Sequence, residues 1–199
     1  MANQAPYEVV AAPLTIYLAP VGTAFPAIDA DPSSFGVDWT LLGTEGDASY
    51  DESGVSVSHS ETTNDFTPAG RTMPTKRFRT GEATLIKLNL VDVSAAGYAK
   101  VMNDAAVTTT APSPSVAGSK KFSLYRGDQV NSFAVLARGV SSEMGSGNLQ
   151  YTISKAFVSV NGDVTWNKGV PAMLPIEILA IRHADTDEIS LEIETAAHS

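Results

Sequence analysis

Residues 83–91 read Ala-Thr-Leu-Ile-Lys-Leu-Asn-Leu-Val (ATLIKLNLV). Taken two at a time, they place Thr84, Ile86, Leu88 and Leu90 on one face and Lys87 and Asn89 on the other. That is the period of a strand with one buried side. The same period recurs along the chain. Val55–Glu61 sets Val55, Val57 and His59 against Ser56, Ser58 and Ser60. Glu188–Glu194 sets Ile189, Leu191 and Ile193, read as inward, against Glu188, Ser190, Glu192 and Glu194, read as outward. Leu14–Ala19, Trp39–Leu42, Lys121–Arg126, Phe133–Arg138, Tyr151–Val160 and Leu174–Arg182 are further β-prone runs bounded by turn residues. One stretch reads as helix: after Ser94, a candidate cap, Ala95, Tyr98, Ala99 and Met102 form a narrow apolar stripe, and Asn103-Asp104 supplies a stop. The reading is a mainly β, antiparallel sandwich or barrel-like domain with one short helix.

The 199 residues suffice for one domain with a real core, and 43% of them are hydrophobic. A single domain over 1–199 is expected, with an N-terminal arm at about 1–13 and a Pro-rich linker at about 108–118. Gly22–Asp38 and Thr62–Thr80 are the long, awkward stretches. The second lies between two strands that should pair, where hairpin loops usually hold only about 2–5 residues. It reads as a long inter-strand loop.

Composition excludes several classes of function. With no cysteine, there is no disulfide scaffold, thiolate nucleophile or sulfur-based zinc site. No window approaches the ~18 apolar residues of a membrane-spanning helix. The start, Met1-Ala-Asn-Gln-Ala-Pro-Tyr-Glu8, has no basic region ahead of an apolar one, so secretory export is not expected. His59, His183 and His198 share no ligand spacing, and His59 reads as structural. Gly145-Ser-Gly147 reads as a turn. Asp29-Ala-Asp31 and Asp185-Thr-Asp187-Glu188 lack the rest of a calcium loop, and Asp51-Glu52 point opposite ways on an extended chain. No cofactor, metal or catalytic residue is assigned.

Charge is unevenly placed. The net charge of −9 argues against a passive grip on nucleic-acid phosphates. Residues 1–70 hold ten acids and no Lys or Arg, residues 71–87 carry five bases against Glu82, and residues 183–199 hold five acids and no base. Unlike patches of this kind suit head-to-tail association between copies of one chain.

Three segments carry a family resemblance: Ala19-Pro-Val-Gly-Thr-Ala-Phe-Pro26, Trp39-Thr-Leu-Leu-Gly43 and Tyr50-Asp-Glu-Ser-Gly-Val-Ser-Val57. With the long loop, the strand Glu82–Val91 and the helix Ser94–Asn103 that follow, residues 13–103 resemble the major tail tube proteins of long-tailed bacteriophages. The resemblance implies a non-enzymatic virion protein of the tail. Its copies would form rings, six to a ring, stacked into a hollow tube that carries DNA into the host without binding it specifically. It also implies assembly in the host cytoplasm and partnership with tape measure and tail terminator proteins. An acidic wall would let DNA slide, because like charges repel. Glu188, Glu192 and Glu194 are the lumen-facing candidates, since their alternation sets them on one side. In the 62–80 segment, Phe66, Arg71, Met73, Lys76, Arg77, Phe78 and Arg79 are the candidates for contact with the next ring. Other readings are a different virion ring, completion or head-decoration protein, or a small-ligand-binding β-barrel enclosing an apolar cavity.

Overall fold

In the computed structural model, which describes residues 13–141, 147–183 and 189–194, strand β4 (Lys76–Leu90) carries Ile86, Leu88 and Leu90 into the core, as its alternation predicts. It belongs to an eight-stranded antiparallel sheet with β1 (Leu14–Pro20), β2 (Thr40–Leu41), β3 (Ser56–Phe66), β7 (Ser132–Ser141), β8 (Gly147–Val160), β9 (Leu174–Ala180) and β10 (Ile189–Ile193). The spatial order is β2-β1-β7-β8-β9-β4-β3, with β10 also paired to β8. The sheet is open and wraps its concave face around one core, so Ile16 and Leu18 of β1 share a cluster with Ile86 of β4 and Ile176 of β9.

Strand β8 lets the sheet divide. Ile153 and Ala156 both face the core although three residues apart, because an extra residue bulges out opposite Phe133–Val135 of β7. Beyond this bend the far edge of β8 changes partner: residues 149–153 pair with β10 and residues 156–160 with β9. The two ends of the curled sheet are tied by Tyr50. Its Oη donates to Leu42 O at 2.9 Å and accepts from Ile16 N–H at 3.1 Å, while its backbone bridges to Leu90. Burial pushes the Tyr50 hydroxyl pKa up, so it remains a donor.

Helix α1 (Ala95–Val101) forms where expected: Ser94 accepts from Gly97 N–H, and Ala99 and Val101 are buried. Asn103, at φ +66°, ends it and holds the irregular 122–131 stretch by bonds to Arg126 O, Gln129 O and Asn131 N.

Three expectations change. The linker at 108–118 opens with a strand, since β5 (Thr108–Thr110) pairs with β6 (Ser119–Lys121) and the prolines fall in the turn between them. The strand expected at Lys121–Arg126 therefore keeps only Lys121, while Phe122 leaves the ladder to pack on the Tyr98 ring. The expected 62–80 loop is mostly paired strand. The N-terminal arm, apart from Pro13, lies outside the described residues.

Gly22–Asp38 is a cap on the convex face. Phe25, Phe35 and Trp39 cover Tyr17, Ala19, Ala134 and Leu136. An irregular segment leaves carbonyls without ladder partners, and here one buried side chain collects them. Arg138 Nη1 donates to Ala30 O at 2.6 Å and Nη2 to Ala27 O at 2.9 Å and to Ile28 O, with the guanidinium beside the Phe35 ring. Gln150, opposite Arg138 in the ladder, donates to Pro26 O and to Glu192 Oε2. Neither buried residue was singled out from the sequence. The available signal was a polar pair on strands otherwise patterned for two apolar faces.

Candidate assembly surface

The β3–β4 hairpin outruns the sheet that supports it. β9 pairs with β4 only over Leu85–Leu90, whereas the ladder between β3 and β4 continues to Phe66 and Lys76. Residues 67–75 alone form the turn, closed by Thr75 N–H on Phe66 O at 2.9 Å. The result is a two-stranded arm in which residues 69–82 are all exposed. Sequence reading stopped these strands where apolar alternation ended. A ribbon wet on both faces needs no such alternation, because backbone pairing and cross-strand side-chain pairs hold it.

The arm has two unlike sides. After a one-residue irregularity at Thr62/Thr63, Asp65 faces Arg77 and Thr63 faces Arg79 on one side. Arg77 grips Asp65 through Nε at 2.6 Å and Nη2 at 2.9 Å, and Arg79 reaches Glu61 at 2.9 Å and Glu82 at 3.4 Å. The Arg77 bond holds the Asp65 carboxyl below its ordinary pKa. On the other side Phe66 pairs with Lys76 and Asn64 with Phe78, so the two phenylalanines are diagonal neighbours. Lys76 Nζ lies 5.0 Å from the Phe78 ring centre. Phe66 is 55% and Phe78 47% exposed, and Met73 in the turn is 75% exposed.

Of the seven candidates in this segment, the structure therefore brings Phe66, Lys76 and Phe78 onto one side. Arg71 and Met73 sit in the turn. Arg77 and Arg79 serve the arm's own acids, leaving Arg71 and Lys76 outside any ion pair among the described residues.

The acidic candidates divide differently. Glu188 lies outside the described residues. Glu192 accepts from Gln150 Nε2 at 3.1 Å and Glu194 from Asn148 N–H at 3.0 Å, both on the cap side of the sheet. The alternation of β10 holds, but its apolar side does not reach the core: Ile189 is 44% and Leu191 48% exposed. Period fixes which residues share a side, not which side is covered.

The described sheet is open rather than the closed barrel that a ligand-binding reading needs. A recess of about 350 Å³ beside the β4–β9 ladder has a mixed lining, with Lys87, Asn89 and Glu177 alongside Leu88, Pro175 and Ile176. No described helix is long and apolar enough to cross a membrane.

An open antiparallel sheet with a capped convex face and a bare two-stranded arm has the form of an assembly subunit. The chain belongs to the phage tail tube protein family, whose model matches residues 1–196. It is thus a structural component of the virion tail, and the family implies that it assembles with its own copies into a tube. No curated protein matches the chain.

Proposed function

We propose that copies of this chain close into rings of six, that the rings stack into the hollow tail tube, and that the 62–80 arm packs on the adjoining ring. The observation that carries this reading is the arm's two-sidedness. Its ion pairs are spent internally on one side, while Phe66, Lys76 and Phe78 stand exposed on the other. An exposed apolar row on a wet ribbon is costly unless something covers it. Arg71 and Lys76 steer the arm toward acidic surface, and the phenylalanines supply most of the stability, since exposed ion pairs contribute only ~0–1 kcal/mol each.

The tube conducts DNA into the host without binding it specifically, and the acidic residues Glu188, Glu192 and Glu194 face the lumen. Assembly takes place in the host cytoplasm, with a tape measure protein inside the tube and a terminator at its end. The protein catalyses nothing and needs no cofactor.

Replacing Phe66 and Phe78 by Ser tests the arm. Fully burying an exposed phenylalanine stabilises by about 1.5–3 kcal/mol, and with Phe66 and Phe78 already about half covered the pair is worth about 1.5–3 kcal/mol per docked arm. The double variant should remain folded, sediment as small species and form no long tubes by negative-stain microscopy. Tubes formed as readily as those of the parent would refute the arm's role.

A further inference from the structure

We infer that Asn161 is a self-modification site: in the folded protein it converts to aspartate and isoaspartate through attack of the Gly162 backbone nitrogen on its side-chain amide. The inference stands apart from the tube reading and concerns the foot of the connection between β8 and β9.

Of the eight asparagines in the chain, Asn161 alone is followed by glycine. The reaction needs the next peptide nitrogen to reach Cγ, and a side chain on that residue crowds the approach, whereas glycine has none. The fold itself demands glycine here. Gly162 sits at φ +143°, and a Cβ on it would meet Pro175 Cγ at 2.9 Å. Asn161 is the first residue beyond β8, and both it and Gly162 are exposed. The Gly162 N–H enters no hydrogen bond among the described residues, so the nucleophile is not occupied.

The other described asparagines are placed differently. Asn64, Asn89 and Asn148 lie inside β3, β4 and β8, where the ladder fixes the backbone that follows. Asn103 uses both ends of its amide to hold the 122–131 stretch, and Asn131 donates back to Asn103 O. Asn167 is followed by Lys168.

The Gly162 nitrogen gives up its proton and bonds to Asn161 Cγ. The Cγ–Nδ2 bond breaks, and ammonia leaves carrying that proton. Water then opens the cyclic imide at either carbonyl, giving aspartate or an isoaspartate whose main chain runs through the former side chain. Nothing is oxidised or reduced. Water reaches the site from the open recess that Asn161 and Glu177 border.

The contact that restrains the side chain is also the one that conversion destroys. Asn161 Nδ2 donates to Glu177 Oε2 at 2.6 Å, and Lys87 Nζ lies 3.7 Å from the same oxygen. The product sets a second carboxylate against Glu177 in place of a donor, so like charges meet where β8 hands over to β9.

Peptide mapping by mass spectrometry, on protein kept in mildly alkaline buffer beside the same chain in urea, tests this. Position 161 should lose its amide before any other asparagine, with isoaspartate among the products and a rate that rises with pH. Opening one exposed hydrogen bond should slow the folded chain by no more than about tenfold relative to the unfolded one. An intact Asn161 in the folded protein while the urea sample converts, or earlier conversion at another asparagine, overturns the inference. As a second measurement, Asn161→Asp should melt below the parent, and Glu177→Gln added to it should recover part of the loss. An Asn161→Asp chain as stable as the parent overturns the consequence drawn for Glu177.

Discussion

Replacing Arg138 by Ala should unfasten the cap from the convex face of the sheet. Arg138 is 3% exposed, and its guanidinium makes three donations to cap carbonyls, those of Ala27, Ile28 and Ala30. Burial lowers its pKa, and the nearby charges of Tyr17, Asp29, Glu192 and Glu194 oppose that shift. A hydrogen bond to a charged group contributes about 1.5–3 kcal/mol, and the three are not additive because a lifted cap rehydrates its carbonyls. Loss of the Phe35 stacking contact adds to this. The expected cost is about 3–5 kcal/mol, within the range for breaking a buried charged network. Arg138→Lys keeps the charge but not the planar fork that reaches several carbonyls, and should recover less than half of the loss. Trp39, 9% exposed and donating Nε1–H to Ala24 O, reports the state of the cap by its fluorescence. With a urea slope of ~2 kcal/mol/M, the Arg138→Ala midpoint should fall by about 2 M. A loss below about 1 kcal/mol, or Trp39 emission that stays native while the variant unfolds early, would refute the latch.

Tyr50→Phe keeps the ring but strands Leu42 O and Ile16 N–H in the core, and should cost about 1–3 kcal/mol in urea unfolding; a neutral result would mean the sheet ends are held otherwise. Asp65, held by Arg77, has a folded pKa below its ordinary 3.8. Its contribution to the arm is complete above the unfolded value and disappears as pH falls through the lower folded one. An NMR titration should place its midpoint below 3.8, moving up when Arg77 is replaced by Gln, whereas an ordinary midpoint in the parent would contradict the pairing. Glu192→Gln with Glu194→Gln removes charge while keeping an acceptor for Gln150 and Asn148. Phage carrying it should build tails of normal length and eject DNA more slowly, and unchanged ejection would argue that these residues face elsewhere.

What the sequence made legible was what period and capping encode. Ile86, Leu88 and Leu90 were placed on the core side by alternation alone, and Ser94 marked the start of the helix. The arm escaped because Thr62 to Phe66 and Lys76 to Thr80 face water on both sides, so no apolar rhythm marks them. The cap escaped for the opposite reason: its backbone is irregular, and the residue that holds it, Arg138, is remote in sequence. The three-residue step between Ile153 and Ala156 breaks the strand period at the bulge, and that bend decides where β10 lies. The inward sense assigned to Ile189 and Leu191 matches the side of the pleat they share with Ile153 and Tyr151, but the described residues leave both side chains nearly half exposed.

A cryo-EM reconstruction of the assembled tube tests the central claim most directly. The account predicts that the 67–75 turn of each subunit crosses to the adjoining ring, with Phe66 and Phe78 buried there against another copy. Arms standing in solvent or folded back on their own subunit, with rings stacked through other surfaces, would contradict it.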